Sequence, residues 1–329
     1  MMVLMGKGED EMKKKVLLTV AVTTAVTTVA ASGMAFRYLS DLAVRRMQPK
    51  MPMPVRRRVC RSQQEDLFKE MTDTAIRNVE GIPYEELSLK SHDGYTLYAR
   101  LYRAKEEKRV VVFFHGWRSS WQKDFGLNVP RLLSSGCSLL LVDQRCHGKS
   151  EGDYITYGIQ ERYDCLHWVE QTAKMFPALP IYLWGVSMGA TTVMMASGFP
   201  LSPQVKGIIA DCGYTSPEDI MLHLLKKRTL FSAPMLIAVY RDHFMRHFGF
   251  DIRCCSTKEA LAKSDLPLLF FHGKEDDFVP LMMTRQNYAA AKGEKELTII
   301  DGAAHGKCFF VDGEACFQKI KAFFEKYDR

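Results

Sequence analysis

The sequence contains no Cys-x-x-Cys pair, so a thiolate zinc site has little support. Its nine cysteines are an odd number, include the adjacent Cys254-Cys255 and show no even spacing, which suits a reducing compartment better than a disulfide framework. There is no phosphate loop and no glycine-rich dinucleotide turn, and no internal repeat or low-complexity segment. A basic stripe for nucleic acid is also missing. Residues 1–61 hold 12 of the 45 Lys/Arg and 4 of the 38 Asp/Glu, which leaves 33 basic against 34 acidic residues in the remainder. The net charge of +7 therefore belongs to the N-terminal segment, and the near-neutral body offers no phosphate-binding surface. No cofactor or metal is expected.

What the N-terminus does have is an uncharged stretch, 16–36, preceded by Lys13-Lys14-Lys15 and followed by Arg37, Arg45 and Arg46. Its 21 residues, at about 1.5 Å each, can cross a hydrocarbon core, so a signal anchor is expected. Five threonines make the stretch weakly apolar, and Gly33 and Ala35 resemble a signal-peptidase site, so a cleaved signal is the rival. The flanking charges nearly balance, and cysteine usage tilts the orientation toward the cytoplasmic face, with secretion as the alternative. The chain then divides into a basic tail (1–15), the anchor (16–36), a basic linker and lead-in (37–79) and a folded body (80–329). The linker "MPMPVRRRVCR" would be attracted by anionic lipid headgroups or would merely be solvated.

From residue 85 onward short apolar runs recur. "EELSLKS" and "YTLYARLY" flank the turn Asp93-Gly94, a hairpin signal. "RVVVFFHG", "SLLLVDQR", "PIYLWG", "KGIIADC", "PLLFFHG" and "ELTIID" follow, mostly separated by helical stretches such as 159–175 and 317–326. Runs of β-branched and aromatic residues without polar alternation mark strands covered on both faces. The expectation is an α/β fold with a mostly parallel sheet of about eight strands and helices on each side. An interval of more than fifty residues without a strand run, about 213–264, is long enough for an inserted helical cap. There Leu236, Tyr240, Phe244 and Phe248 repeat at i, i+4, as in an amphipathic helix lying apolar side down on the C-terminal edge of the sheet.

"PIYLWGVSMGATTV" sets Ser187 between Gly185 and Gly189 at the junction of a strand and a helix. A strand that turns straight into a helix needs a positive φ at the serine and very small neighbours. Such a turn lifts the hydroxyl above the sheet and aims the first helical N–H groups at its front. By composition alone, roughly one chain in ten of this length would contain the three-residue pattern by chance. Its position after a strand and before a helix makes it specific.

With "HGW" (115–117), "DQRCHGKS" (143–150), "HGKEDDFVP" (272–280) and "DGAAHG" (301–306), the chain resembles the α/β-hydrolase superfamily from about residue 80 to the C-terminus. More narrowly it resembles bacterial membrane-anchored or secreted serine hydrolases of the serine-aminopeptidase-like and BEM46-like groups. The loop after "PLLFFHG" offers Glu275, Asp276 and Asp277 as acid; the family spacing H-G-x-x-D-x-x-V-P falls on Asp276, with Asp277 second. His305 alone among the histidines follows the last strand in a small-residue loop, and the order Ser187, Asp276, His305 is that of the fold. Met188 is the expected first oxyanion donor, and the resemblance implies Trp117 as the second, although "HGW" departs from the H-G-G-G type. His115, "DQRCHGKS" and Asp211-Cys212 read as scaffold, with Cys146 where similar chains carry glycine.

These residues imply a serine hydrolase acting on a small-molecule carboxylic ester by an acyl-enzyme path. Amides, peptides and thioesters use the same path. The lack of a propeller sequence argues against an oligopeptidase. A membrane-tethered binding protein with a silent site is the reading from another class.

Overall fold

Strand β3 (Arg109–Phe114) is buried at every residue because its two faces meet two separate apolar layers. Val111 and Phe113 join a cluster with Phe125, Trp184 and Phe323, whereas Val110, Val112 and Phe114 join one with Trp168, Val193 and Phe270. This period-two division puts a helical layer on each side of the sheet. In the computed structural model, which describes residues 44–46, 67–228 and 233–328, the sheet has eight strands. Besides β3 these are β1 (Glu85–Lys90), β2 (Thr96–Tyr102), β4 (Cys137–Asp143), β5 (Ile181–Val186), β6 (Val205–Asp211), β7 (Leu268–Gly273) and β8 (Lys295–Ile300).

The spatial order is β1-β2-β4-β3-β5-β6-β7-β8. The pairs β1/β2 and β2/β4 are antiparallel and the other five are parallel. The chain steps outward from β3 to β4 and then returns to the other side of β3 as β5. The loops after β3 and β5 consequently diverge from adjacent strand ends and leave a crevice, where ligands bind in open α/β sheets.

In chain order the helices are α1 (Lys69–Glu80), α2 (Trp121–Phe125), α3 (Val129–Ser134), α4 (Glu161–Met175), α5 (Met188–Ala196), α6 (Pro217–Arg228), α7 (Ala233–Phe248), α8 (Thr257–Leu261), α9 (Leu281–Ala290), α10 (Cys308–Val311) and α11 (Gly313–Tyr327). The expected helices at 159–175 and 317–326 correspond to α4 and α11, the latter starting four residues earlier because Asp312 caps it by accepting from the Ala315 N–H at 3.1 Å.

Helices α6 to α8 occupy the interval between β6 and β7. Tyr240 and Phe244 of α7 are buried in a third apolar cluster with Tyr157, Ile237 and Met188, the residue after Ser187. The cap thus packs its apolar stripe onto the C-terminal edge of the sheet, and Phe248 is partly buried against the same cluster. The side chain of Leu236 lies outside the described residues.

Residues 44–46, within the stretch expected as linker, are docked on the body. Val44 is fully buried in the cap cluster, and Arg45 forms a β-bridge with Tyr154. The anchor at 16–36 and the basic linker at 51–61 lie outside the described residues. Among those described, no helix is long and apolar enough to cross a membrane.

Candidate active site

Strand β5 runs into α5 through a single residue, Ser187, whose φ of 55° and ψ of −114° are costly for a side chain with a Cβ. Two glycines make the turn possible. A Cβ on Gly185 would collide with the backbone of Gly189, and one on Gly189 would collide with the Phe114 carbonyl at the end of β3. The serine is held from below, since its N–H donates to the Asp211 carbonyl of β6 at 2.8 Å.

The loops after β7 and β8 bring the partners. His305 Nδ1 donates to Asp276 Oδ2 at 2.7 Å, and its Nε2 lies 2.9 Å from Ser187 Oγ. With the Nδ1 proton engaged by a carboxylate, Nε2 is left as acceptor and the serine hydroxyl donates to it. Asp276 is buried, and its other oxygen accepts the N–H groups of Phe278 and Val279, both at 2.9 Å. The neighbouring Glu275 and Asp277 are exposed. His272, which opens the same loop, is itself fixed: its ring nitrogens meet Thr284 Oγ1 at 2.8 Å and the Val279 carbonyl at 3.0 Å.

Burial alone would suppress the charged form of both groups, but each stabilises the other. Burial disfavours the His305 imidazolium, yet the Asp276 carboxylate, aided by Asp211 and Asp124, outweighs it and raises the pKa above the usual 6.5. Burial likewise opposes the Asp276 carboxylate, and His305 and the backbone donors overcome it, so its pKa lies below the usual 3.8. Asp211, fully enclosed with the Cys308 thiol 3.6 Å from its Oδ1, is pushed up to about 6 by burial.

The two expected oxyanion donors lie on elements that meet at the serine. Met188 is the first residue of α5, so its N–H belongs to the four that have no acceptor within the helix. Trp117 follows Gly116, at which a Cβ would stand 3.5 Å from the Ser187 Cβ. Sequence reading did not foresee what shapes this loop. Asp124 accepts from the Gly116 N–H at 2.7 Å and from Ser119 Oγ at 2.6 Å. His147 Nε2 accepts the Arg118 N–H at 3.0 Å, while its Nδ1 donates to the Arg145 carbonyl at 2.8 Å. Burial, then the nearby His115 ring, push the His147 pKa down to about 3, so it stays a neutral acceptor. The only sequence signal was the position of His147 inside "DQRCHGKS", where Cys146 takes a φ of 66°, the backbone conformation glycine favours.

Among the described residues, one group has ligand atoms close enough to hold a cation: Cys212, Asp276 and His305, within 4.8 Å of one another. Its donors are already committed. The imidazole and carboxylate bond each other, and burial raises the Cys212 pKa far enough to keep the thiol protonated.

A profile of the alpha/beta hydrolase family matches residues 111–319, well over half of the chain. The chain belongs to the alpha/beta hydrolase family. It is 26% identical over 302 residues to YqkD of Bacillus subtilis (strain 168), an uncharacterised protein, covering 90% of this chain and 92% of that one. A bifunctional esterase/perhydrolase of Acinetobacter calcoaceticus is 21% identical over 241 residues, 60% of this chain and 85% of its own. Among solved structures, an esterase of Pyrococcus furiosus superposes with a TM-score of 0.62 at 19% identity, covering 77% of this chain and 94% of that one. That structural likeness shows the fold.

Proposed function

We propose that this alpha/beta hydrolase is a serine esterase that cleaves carboxylic esters through an acyl-enzyme. The carrying observation is the relay from Ser187 through His305 to Asp276, at 2.9 Å and 2.7 Å. In the first half-reaction His305 Nε2 takes the hydroxyl proton as Ser187 Oγ bonds the ester carbonyl carbon, and Asp276 stabilises the imidazolium. The negative charge on the carbonyl oxygen is met by the backbone N–H groups of Met188 and Trp117. His305 then passes its proton to the leaving alkoxide as the C–O bond breaks, giving an alcohol and an acyl-serine. In the second half-reaction His305 deprotonates a water that attacks the acyl carbon, and the proton returns to Ser187 Oγ as the carboxylic acid leaves. The esterase among the relatives supports the ester as substrate, and amides or thioesters would follow the same steps. The apolar cap cluster, which reaches Met188, suits a short or medium acyl group.

We further propose that the uncharged stretch 16–36, between Lys13-Lys14-Lys15 and Arg37, anchors the enzyme at a membrane with the body on the cytoplasmic side.

A fluorophosphonate probe tests the reaction. Labelling at Ser187 is expected, and Ser187→Ala should lower ester turnover by about 10⁴ or more without unfolding the protein. A folded, unlabelled wild-type protein would instead identify a silent binding module.

A further inference from the structure

Only seven residues, 37–43, separate the end of the uncharged stretch from Val44, where the chain is already docked. The docking place is the rim of the active site. Val44 is fully buried in the cap cluster that includes Met188, and its carbonyl accepts the Ile155 N–H at 2.5 Å. The Arg46 guanidinium donates to the Ser150 and Gly148 carbonyls at 2.7 and 2.8 Å, gripping the loop that carries His147. Arg118, next to the expected oxyanion donor Trp117, donates to the Arg45 carbonyl at 3.4 Å.

Chain length then constrains orientation. The eight steps from Phe36 to Val44 reach at most about 28 Å when fully extended. A body of roughly 260 residues has a radius of gyration of about 18 Å, hence a diameter on the order of 45 Å. With the stretch 16–36 in the bilayer, as proposed above, a tether of this length would hold the rim near the surface and the far end of the sheet, where Arg109 pairs with Asp328 at 2.5 Å, away from it. Charge agrees with this placement. Beyond Arg46 the chain carries Lys50, Arg56, Arg57, Arg58 and Arg61 with no acidic residue up to position 61, which favours a surface of anionic headgroups. Met245 of α7 is half exposed, so the cap carries an apolar side chain on its outer surface.

We propose that the active-site rim is applied to an anionic bilayer and that the natural substrates are lipid esters whose short or medium acyl groups enter from that bilayer beneath the cap. This inference rests on the esterase reading and deepens it. The esterase reading alone would be satisfied by any dissolved ester.

The full-length protein, reconstituted in phosphatidylcholine vesicles with about a third phosphatidylserine, tests the orientation and the substrate together. A fluorescent amino acid in place of Met245 on the cap, or of Glu325 on α11, is read against lipids carrying a headgroup quencher. Quenching at least threefold stronger at 245 than at 325 is expected. A 20-residue Gly/Ser insertion between residues 37 and 43 should cut hydrolysis of a bilayer-embedded acyl ester fivefold or more and leave a dissolved short-chain ester within twofold. Equal quenching, stronger quenching at 325, failure of the wild type to float with vesicles, or an insertion without effect on the embedded ester would each overturn the proposal. A wild-type protein inactive on both esters would overturn the esterase reading, and this inference with it.

Discussion

In the proposed reaction, proton transfer at Ser187 depends on which lone pairs are already taken. Asp276 occupies the His305 Nδ1 proton, and the Phe278 and Val279 N–H groups hold the second oxygen of Asp276, so the ring can work only through Nε2. His305 must be neutral to act as base, and its pKa lies above the usual 6.5 because Asp276 outweighs burial. The acid limb of the kcat/KM profile for a soluble ester should therefore have its midpoint above 6.5. Asp276→Asn removes the largest charge that sustains the imidazolium, leaving burial opposed only by Asp211 and Asp124. The midpoint should move down and turnover should fall by about 10³ to 10⁴. Asp277→Asn, at an exposed position, should leave both within about twofold. Matching effects from the two variants would show that the wrong carboxylate has been paired. Nothing in "KEDD" itself separates these two residues, because the distinction comes from the turn that buries one and exposes the other.

At the scale of elements, the loops after β3 and β4 cooperate although nearly thirty residues separate their contacts. The loop after β4 packs beside the turn at Arg118, which takes a φ of 52°, and His147 receives the Arg118 N–H there. This bond fixes the peptide next to Trp117, so His147 is a positioning residue for the proposed second oxyanion donor. His147→Ala should lower kcat about tenfold with KM changed less than twofold, while His147→Gln, which keeps an acceptor, should recover much of the loss. Because His147 remains neutral down to about pH 3, the acid limb of the wild-type profile should not move in either variant. A rise in KM with kcat intact would assign it to substrate binding. Six of the strands were visible as short apolar runs and the first two as the arms of a hairpin about Asp93-Gly94, although β1 is mostly exposed and β8 only partly buried; the helical cap showed as an interval too long for a loop. The neighbours of each strand were not visible. That β2 would pair antiparallel with β4 depends on which edges are left open once β3 has paired with β4 and β5.

On the scale of the whole molecule, the boundary of the folded body lies further toward the N-terminus than the pattern of elements suggested. A fragment starting near residue 62 would lack Val44 and the Arg46 bonds to Gly148 and Ser150. Fully burying a valine is worth about 1.5 to 3 kcal/mol, and each added hydrogen bond about 1 kcal/mol. In urea titrations the fragment 44–329 should thus exceed 67–329 in unfolding free energy by up to about 3.5 to 5 kcal/mol, less the entropy of ordering residues 44–46, with a similar m-value. Equal midpoints would mean that residues 44–46 do not dock in solution.

The amino-acid sequence by itself determined the strands, the serine turn and the order of its partners, because each is written in a short stretch: apolar runs, glycines on either side of Ser187, a histidine in a small-residue loop. The family spacing pointed to Asp276 over Asp277, and tertiary structure supplied the burial and the bond to His305 that separate them physically; it alone decided that His147 braces Arg118 and that Val44 packs into the cap cluster. Those outcomes depend on the packing of residues distant in the chain, and burial and hydrogen-bond geometry between them exist only once the sheet has formed.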